Sequence, residues 1–357
     1  MAALDEFINA GFVVRDAIET PPAAAPPTLH PVHAATLAAK HFTPLVEPVR
    51  GLIVEGLTLL CGASKIGKSW LVLQMCVAVS SGTPFLGRQT DPGPVLYLAF
   101  EDSERRLQQR LQRQNSVPGE ALHFETNILP LDAGLLEALE GWISQNPGAR
   151  LIVIDTLQKV RGAAPTRANA YAEDYKVVGC LKSFADRHHV AVVLVHHLNK
   201  MRDVEDPFDK ISGSTGLMGA ADTAILISRQ RGDDDATVTF AGRDVWGDDF
   251  QIRFEDCRWR VCDPALLARE RYARAPIVQA IKRFMEQGTF DGTHSASYED
   301  FRQWAADSCG LFIGVNQRET RQLLERYAAQ LAQYDGIQLS LDKRVGTKRG
   351  FSFTVGR

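Results

Sequence analysis

Five short runs between residues 57 and 228 are apolar at almost every position instead of alternating between apolar and polar residues. The runs cover residues 57–62, 95–101, 151–155, 190–197 and 223–228. Strands that are buried on both faces have this pattern, and they occur in parallel sheets covered by helices. Helical segments at 69–82 and 103–113 lie between the runs, the second with Ser103 as its N-cap. The pattern predicts an α/β fold with a parallel central sheet.

Two later runs, 236–242 and 249–256, alternate in polarity and predict antiparallel edge strands. On either side of this core the pattern changes. The Pro- and Ala-rich segment up to residue 41 predicts a flexible arm, because it lacks the apolar residues that a core needs. A second domain is predicted after Asp263-Pro264. The expected organisation is an arm at 1–41, an α/β domain at 42–263 and a small domain at 264–357.

Residues 62–69 read G-A-S-K-I-G-K-S and match the phosphate-loop pattern G-x-x-x-x-G-K-[ST]. A predicted strand precedes them and an apolar helix follows, as the motif requires. The glycines let backbone N–H groups surround phosphates, Lys68 reaches the outer phosphates, and the Ser69 hydroxyl binds Mg²⁺. The residues expected to bind ATP are Gly62, Ala63, Ser64, Lys65, Ile66, Gly67, Lys68, Ser69 and Trp70.

Carboxylates that end two other runs supply the remaining parts of an expected Mg²⁺–ATP site. Asp155 closes the run at 151–155 and is predicted to bind the metal together with Ser69. Hydrolysis also needs a base that orients water, and the residue after Asp155 is Thr156 rather than an acid. Glu101 is therefore the predicted base. Asp102 is the alternative base, or else a cap for the helix at 103–113.

This order of motifs resembles the RecA/DnaB-like ATPases. Over residues 45–262 the sequence, from EGLTLLCGASKIGKSWLVLQM to GPVLYLAFEDSERRLQQRL, is similar to the plasmid- and phage-encoded hexameric helicases of the RepA-like branch. The resemblance implies a RecA-like core that hydrolyses ATP with Mg²⁺ at the interfaces between the subunits of a ring. It also implies a role in DNA replication.

The resemblance implies two further catalytic side chains. In the family a Gln or His that senses the γ-phosphate ends the strand after the metal-binding Asp, and His197, rather than its neighbour His196, is expected in that role. An arginine finger on a late strand acts on the nucleotide of a neighbouring subunit. Arg243 is the expected finger, with Arg229 and Arg231 as alternatives.

Two loops would face the channel of such a ring and contact single-stranded DNA. The first follows Asp155 and carries Lys159, Arg161 and Arg167. The second runs from 199 to 215, but its acidic residues outnumber its basic ones, so its direct contact with DNA is open. Ordinary solvated surface loops would have the same composition.

From residue 276 the chain predicts three helices and then a basic hairpin, which resembles a winged helix-turn-helix. Side chains near the start of the third helix would contact bases; they are Asn316, Gln317, Arg318, Arg321 and Gln322. Basic side chains of the hairpin would contact phosphates; they are Lys343, Arg344, Lys348 and Arg349. A small dimerisation or docking domain would have the same pattern.

Composition narrows the classes of protein. Hydrophobic residues make up 45% of the chain and charged residues 23%, as in globular proteins. The sequence has no apolar run of membrane-spanning length, no basic segment at its start and no C-x-x-C pair among its six cysteines. These features predict a cytoplasmic protein with no membrane partner. Residues 264–357 contain 14 Lys and Arg against 10 Asp and Glu, which indicates a polyanion partner.

Together these patterns predict an ATP-hydrolysing DNA helicase or translocase that forms a homo-oligomeric ring, a hexamer by resemblance. Its expected partners are single-stranded DNA, double-stranded DNA at the last domain, and an initiator or primase. The alternative is a nucleotide-switched DNA-binding regulator that does not unwind DNA. A kinase of small molecules is disfavoured, because the sequence shows neither a lid nor a substrate pocket.

Overall fold

The structure is a computed structural model. It describes residues 31–161, 167–198, 208, 214–230, 232–247, 249–287 and 293–355. The chain divides into two compact units, Met1–Pro44 and Leu45–Arg357. In the described part of the first unit there is one short helix, α1 (Ala34–Ala38), and none of its residues is buried.

The second unit contains the other helices and the strands. The strands are β1 (Gly56–Gly62), β2 (Val95–Ala99), β3 (Leu122–Glu125), β4 (Leu151–Asp155), β5 (Ala191–His197), β6 (Thr223–Arg229), β7 (Asp235–Gly242), β8 (Phe250–Glu255), β9 (Arg258–Cys262), β10 (Thr293–Ser297), β11 (Ile337–Val345) and β12 (Lys348–Val355). The helices are α2 (Lys68–Ser81), α3 (Glu104–Arg113), α4 (Leu135–Gln145), α5 (Leu157–Val160), α6 (Arg167–His188), α7 (Ser214–Ala220), α8 (Pro264–Arg274), α9 (Pro276–Glu286), α10 (Tyr298–Cys309) and α11 (Gln317–Asp335).

Nine strands form the central sheet in the order β3-β2-β4-β5-β1-β6-β7-β8-β9. The strands from β3 to β6 are parallel, and β7, β8 and β9 continue the sheet in antiparallel fashion. The predicted α/β fold with a mostly parallel sheet is confirmed. The runs at 236–242 and 249–256 are antiparallel strands as expected, but the expectation that they form the edge is wrong. The strand at this end of the sheet is β9. The sequence did not predict it, because Arg258 and Arg260 interrupt its short apolar pattern.

Successive residues of the parallel strands point to opposite faces of the sheet and enter two separate cores. In β4, Leu151 and Val153 pack on the face that α2 covers, whereas Ile152 and Ile154 pack on the other face with α6. Both faces of these strands are therefore covered by apolar contacts. In β4 and β5 the titratable side chains, Asp155, His196 and His197, come at the carboxyl ends, so this chemistry lies at one edge of the sheet.

The chain after Asp263 builds a third core. Asp263 caps α8, since its carboxylate accepts a hydrogen bond from the N–H of Ala265 at 2.8 Å. Strands β10, β12 and β11 form a three-stranded sheet, which packs with α9, α10 and α11 around Phe301, Phe351 and Phe353. This order of helices followed by a hairpin fits a winged helix-turn-helix. That assignment, like the boundary at 263/264, stays a prediction.

None of the helices in the described ranges is long and apolar enough to cross a membrane.

Candidate nucleotide-binding site

The carboxyl ends of β2, β4, β5 and β1 lie side by side at one edge of the central sheet. In the strand register Ala99 lies opposite Asp155, Asp155 opposite Val195, and His197 opposite Gly62. In open α/β sheets this edge is the usual place for a ligand. The phosphate loop and the predicted side chains at three strand ends are therefore brought together.

The phosphate loop turns sharply between β1 and α2. Lys65 and Gly67 have φ angles of 64° and 102°, in the left-handed region. A Cβ atom at Gly62 would lie 2.6 Å from Cδ1 of Ile66 and 3.0 Å from the carbonyl oxygen of Ile227, so a larger residue there would force its neighbours to shift. Residues 63–65 are exposed while Ile66 is buried, so the loop presents its backbone to solvent above an apolar anchor.

Side chains from β6 and β9 support this loop. The indole N–H of Trp259 donates to the carbonyl oxygen of Gly67 at 3.1 Å. Arg229 donates to the carbonyl oxygen of Ile66 at 3.2 Å, and its guanidinium lies 5.2 Å from the ring centre of Trp259. The sequence analysis predicted neither β9 nor a role for Trp259. Arg229, an alternative finger in the sequence analysis, lies at the phosphate loop of its own subunit.

The ammonium group of Lys68 is folded back over the loop. Its Nζ atom donates to the carbonyl oxygens of Gly62 and Ala63, both at 2.8 Å, and lies 3.0 Å from Nδ1 of His197. Burial lowers the pKa of Lys68 to about 8, and the nearby Asp155 carboxylate opposes this shift. The lysine is thus held at the mouth of the loop by uncharged partners, two carbonyl oxygens and an imidazole nitrogen.

Ser69, at the start of α2, and Asp155, at the end of β4, are in direct contact. The Ser69 hydroxyl donates to Oδ2 of Asp155 at 2.8 Å, and the Tyr97 hydroxyl donates to the same oxygen at 3.1 Å. Burial raises the pKa of Asp155, while the two hydrogen bonds act in the opposite direction. The structure therefore places the two predicted metal-binding side chains together, and it adds Tyr97, which the sequence analysis did not select.

The two acidic residues after β2 have different surroundings. Asp102 is almost buried, and its carboxylate accepts hydrogen bonds from both Arg106, at 3.0 Å, and Arg110. Glu101 is partly exposed, accepts a hydrogen bond from the Thr156 hydroxyl at 3.4 Å, and faces the edge of the sheet. The two oxygens of Asp102 are each engaged by an arginine. The carboxylate of Glu101 has no arginine partner among the described residues and lies on the side of the phosphate loop.

The adjacent histidines at the end of β5 also separate. An ammonium group can only donate hydrogen bonds, so Nδ1 of His197 accepts the hydrogen bond from Lys68. The ring proton of His197 therefore lies on Nε2, which is 3.8 Å from Glu101. Burial and the Lys68 charge lower the pKa of His197. His196 points to the other face, where Gln158 lies 3.2 Å from its Nδ1. Of the two histidines, His197 is the one beside Lys68, and its role as a sensor stays a prediction.

Arg243 lies at the opposite end of the sheet. It follows β7, and its backbone N–H donates to the carbonyl oxygen of Asp222, just before β6. Because β6 is parallel to β1, this position is roughly 20 Å along the strands from the phosphate loop of the same subunit. The guanidinium is largely exposed and lies 3.6 Å from the Asp222 carboxylate.

The surfaces predicted to bind DNA are described only in part. Arg161 is paired with Asp174 at 3.3 Å. The side chain of Arg167, most of the second loop and Arg231 lie outside the described residues. In the last domain the basic side chains of the hairpin are exposed. Arg321 and Lys348, however, are paired with Asp342 and Asp300 respectively.

Comparisons with known proteins concern mainly the α/β domain. A family model described as an AAA domain matches residues 23–203, just over half of the chain, and this span includes the phosphate loop, Glu101, Asp155 and His197. Among solved structures, one described as an ATPase domain has 15% sequence identity and a TM-score of 0.49, covering 58% of this chain and 85% of that one. A DnaB-like replicative helicase, described with its interactions with primase, has the same identity and TM-score, covering 58% of this chain and 57% of that one.

Proposed function

The chain belongs to the AAA domain family, and we propose from this premise that it is a ring-forming DNA helicase or translocase of the RepA-like replicative type. Its α/β domain is a P-loop ATPase. One observation carries the proposal, which is that the side chains needed for phosphoryl transfer to water converge on one edge of the sheet. They are Lys68, Ser69, Glu101, Asp155 and His197.

The residues at this edge fit a nucleotide with Mg²⁺. This ion is typically bound through one or two protein oxygens together with phosphates and water, and Ser69 and Asp155 offer a hydroxyl and a carboxylate at 2.8 Å from each other. We propose that these two residues hold the metal and that Lys68 exchanges its carbonyl partners for phosphate oxygens. When bound, Mg²⁺ neutralises charge on the β- and γ-phosphates.

Glu101 is the proposed base that orients the attacking water. Its carboxylate faces the phosphate loop, while the competing Asp102 is engaged by two arginines. His197 lies between Lys68, at 3.0 Å, and Glu101, at 3.8 Å, so a change in the phosphate contact of the lysine would alter the surroundings of the proposed base. This arrangement supports the role of His197 as the γ-phosphate sensor.

A ring of subunits is proposed because Arg243 and the phosphate loop lie at opposite ends of the same sheet. An arginine finger needs to reach the transferred phosphate, and Arg243 meets this requirement only at the site of another copy of the chain. Its guanidinium is largely exposed, and it would exchange its contacts with Asp222 and the carbonyl oxygen of Gly219 for the phosphate. Shared sites of this kind couple hydrolysis at one subunit to movement of its neighbour.

DNA is the proposed polymer substrate. The exposed basic hairpin formed by β11 and β12 offers Lys343 and Arg344, for which no ion pair occurs within the described ranges, and it suits contacts with the phosphates of double-stranded DNA. Single-stranded DNA is expected at the two loops that follow β4 and β5. An initiator or primase is a further proposed partner.

The second candidate function is a nucleotide-switched DNA-binding regulator. The basic hairpin favours it, because this surface is suited to duplex DNA and is separate from the ATPase site. In that case nucleotide turnover would control assembly on DNA without separating its strands.

Strand displacement distinguishes the two functions. A forked duplex with a single-stranded tail and a fluorescent label is incubated with the protein, ATP and Mg²⁺. We expect displacement that requires ATP and is lost in Lys68→Ala, because the lysine charge at the phosphates is removed. Lys176→Ala, which changes an exposed lysine of α6, serves as the control and should retain displacement. A protein that binds the fork and hydrolyses ATP but leaves the strands paired would support the regulator instead.

A further inference from the structure

Tyr97 brings a hydroxyl group to the buried side of the phosphate site. It lies in the middle of β2, it is fully buried, and its ring packs 5.9 Å from that of Phe124. A buried tyrosine hydroxyl usually finds a hydrogen-bond partner. Its partner in the described part of the chain is Oδ2 of Asp155, at 3.1 Å. Burial raises the pKa of Tyr97 well above its usual value, so the hydroxyl keeps the proton that it donates.

The two oxygens of the Asp155 carboxylate have different surroundings. Oδ2 accepts hydrogen bonds from Ser69 and Tyr97, whereas Oδ1 accepts none from the residues that the structure describes. The tyrosine comes from a neighbouring strand in the rigid sheet, so its hydroxyl fixes the rotation of the carboxylate. If the Ser69 hydroxyl turns to a metal ion, Tyr97 is the donor that still holds Oδ2.

We propose that Tyr97 is a positioning residue that orients the Asp155 carboxylate and leaves Oδ1 available to the hydrated Mg²⁺ of the bound nucleotide. The inference rests on the proposed function in one respect, which is the assignment of Asp155 to the metal. Tyr97 itself does not touch nucleotide or metal in this role.

The variant Tyr97→Phe separates the hydroxyl from the ring. It removes one oxygen atom and retains the aromatic contact with Phe124. The matched control is Tyr272→Phe, which removes a hydroxyl that donates to another carboxylate, Asp335, in the third core. Both variants lose a tyrosine–aspartate hydrogen bond, but only Tyr97 lies at the phosphate site.

The experiment measures equilibrium binding of a fluorescent ATP analogue, first without Mg²⁺ and then during a Mg²⁺ titration. In Tyr97→Phe we expect the Mg²⁺ concentration at half-maximal enhancement to rise about 10-fold, as for other groups that orient a metal ligand. Binding without Mg²⁺ should stay as in the wild type, because Lys68 and the loop backbone are unchanged. Tyr272→Phe should match the wild type in both measurements.

Two outcomes would overturn the inference. One is an unchanged Mg²⁺ midpoint in Tyr97→Phe. The other is an equal loss of binding with and without Mg²⁺, which would give the hydroxyl a role in the fold of the loop rather than in metal binding. The variant Asp155→Asn tests the premise separately: if it keeps the full Mg²⁺ enhancement, the metal assignment of the proposed function fails, whatever Tyr97→Phe does.

Discussion

At the level of single residues, the site gives chemically similar neighbours different environments. Glu101 faces the phosphate loop while Asp102 is paired with Arg106 and Arg110. His197 contacts Lys68, whereas His196 points into the opposite face of the sheet. The two histidines end β5, where side chains alternate between the faces of the sheet, whereas Glu101 and Asp102 lie in the turn that follows β2.

The sequence predicts that these residues lie at strand ends, but it does not predict the full set of contacts. The pairing of Asp102 with Arg106 and Arg110 was readable, because the two arginines lie four residues apart on one side of α3 and Asp102 comes just before its N-cap. The hydrogen bond from Tyr97 to Asp155 was not, since it joins two strands whose relative register is set by the whole sheet. The roles of Glu101, His197 and Arg243 stay predictions.

His196 should make the stability of the protein sensitive to acid. It is buried, and burial together with His197 lowers its pKa to about 4, against 6.5 for the ordinary group. Below about pH 6.5 the unfolded chain binds a proton that the folded chain does not bind, so the free energy of unfolding falls until about pH 4. In His196→Gln this fall should be smaller by roughly 2–3 kcal/mol.

Urea unfolding between neutral pH and about pH 4 measures this difference. Val195→Ala, in the same strand, is the control, because it should lower stability at every pH without changing the pH dependence. An acid-induced loss in His196→Gln as large as in the wild type would contradict the prediction.

Among the secondary-structure elements, β9 connects the edge of the sheet to the phosphate loop. The side chain of Gln74 on α2 forms hydrogen bonds with both the N–H and the carbonyl of Trp259, each at 2.9 Å. These bonds cover backbone groups that an edge strand would otherwise expose. The parallel strands were predicted from their continuous apolar runs, whereas β9 has only two buried or half-buried apolar positions among charged residues.

Trp259→Phe should weaken nucleotide binding. The substitution keeps an aromatic ring beside Gly67 but removes the N–H that fixes the Gly67 carbonyl at 3.1 Å. Loss of one neutral hydrogen bond is worth about 1 kcal/mol, so we expect the affinity for a fluorescent ATP analogue to fall about fivefold. Trp304→Phe removes a comparable indole hydrogen bond to Gln287 in the third core and should leave the affinity unchanged. Equal affinities in wild type and Trp259→Phe would show that the loop does not depend on β9.

At the scale of the whole molecule, ion pairs connect the central sheet with α8, which begins the segment that builds the third core. Arg253 of β8 contacts both Asp235 of β7 and Glu270 of α8 at 2.7 Å, and Arg271 adds a contact of 3.7 Å to Asp235. Asp235 follows the segment that Arg229 contacts beneath the phosphate loop. A continuous set of contacts therefore leads from the nucleotide site to α8.

The assembly of several chains into a ring is predicted only from the resemblance to the hexameric helicases. The distance between Arg243 and the phosphate loop of the same subunit favours sites that are shared between copies of the chain. Most of the second loop that the sequence places in the channel lies outside the described residues.

The most direct test of the central claim is the steady-state ATPase rate with and without single-stranded DNA, in the wild type, Glu101→Gln and Asp102→Asn. We expect that DNA raises the wild-type rate and that Glu101→Gln lowers it by roughly 10²- to 10⁴-fold while ATP binding is retained, because the water loses its base. Asp102→Asn should still hydrolyse ATP. A wild-type rate that ignores DNA would contradict the motor and favour the regulator, and hydrolysis that survives Glu101→Gln would remove Glu101 as the base.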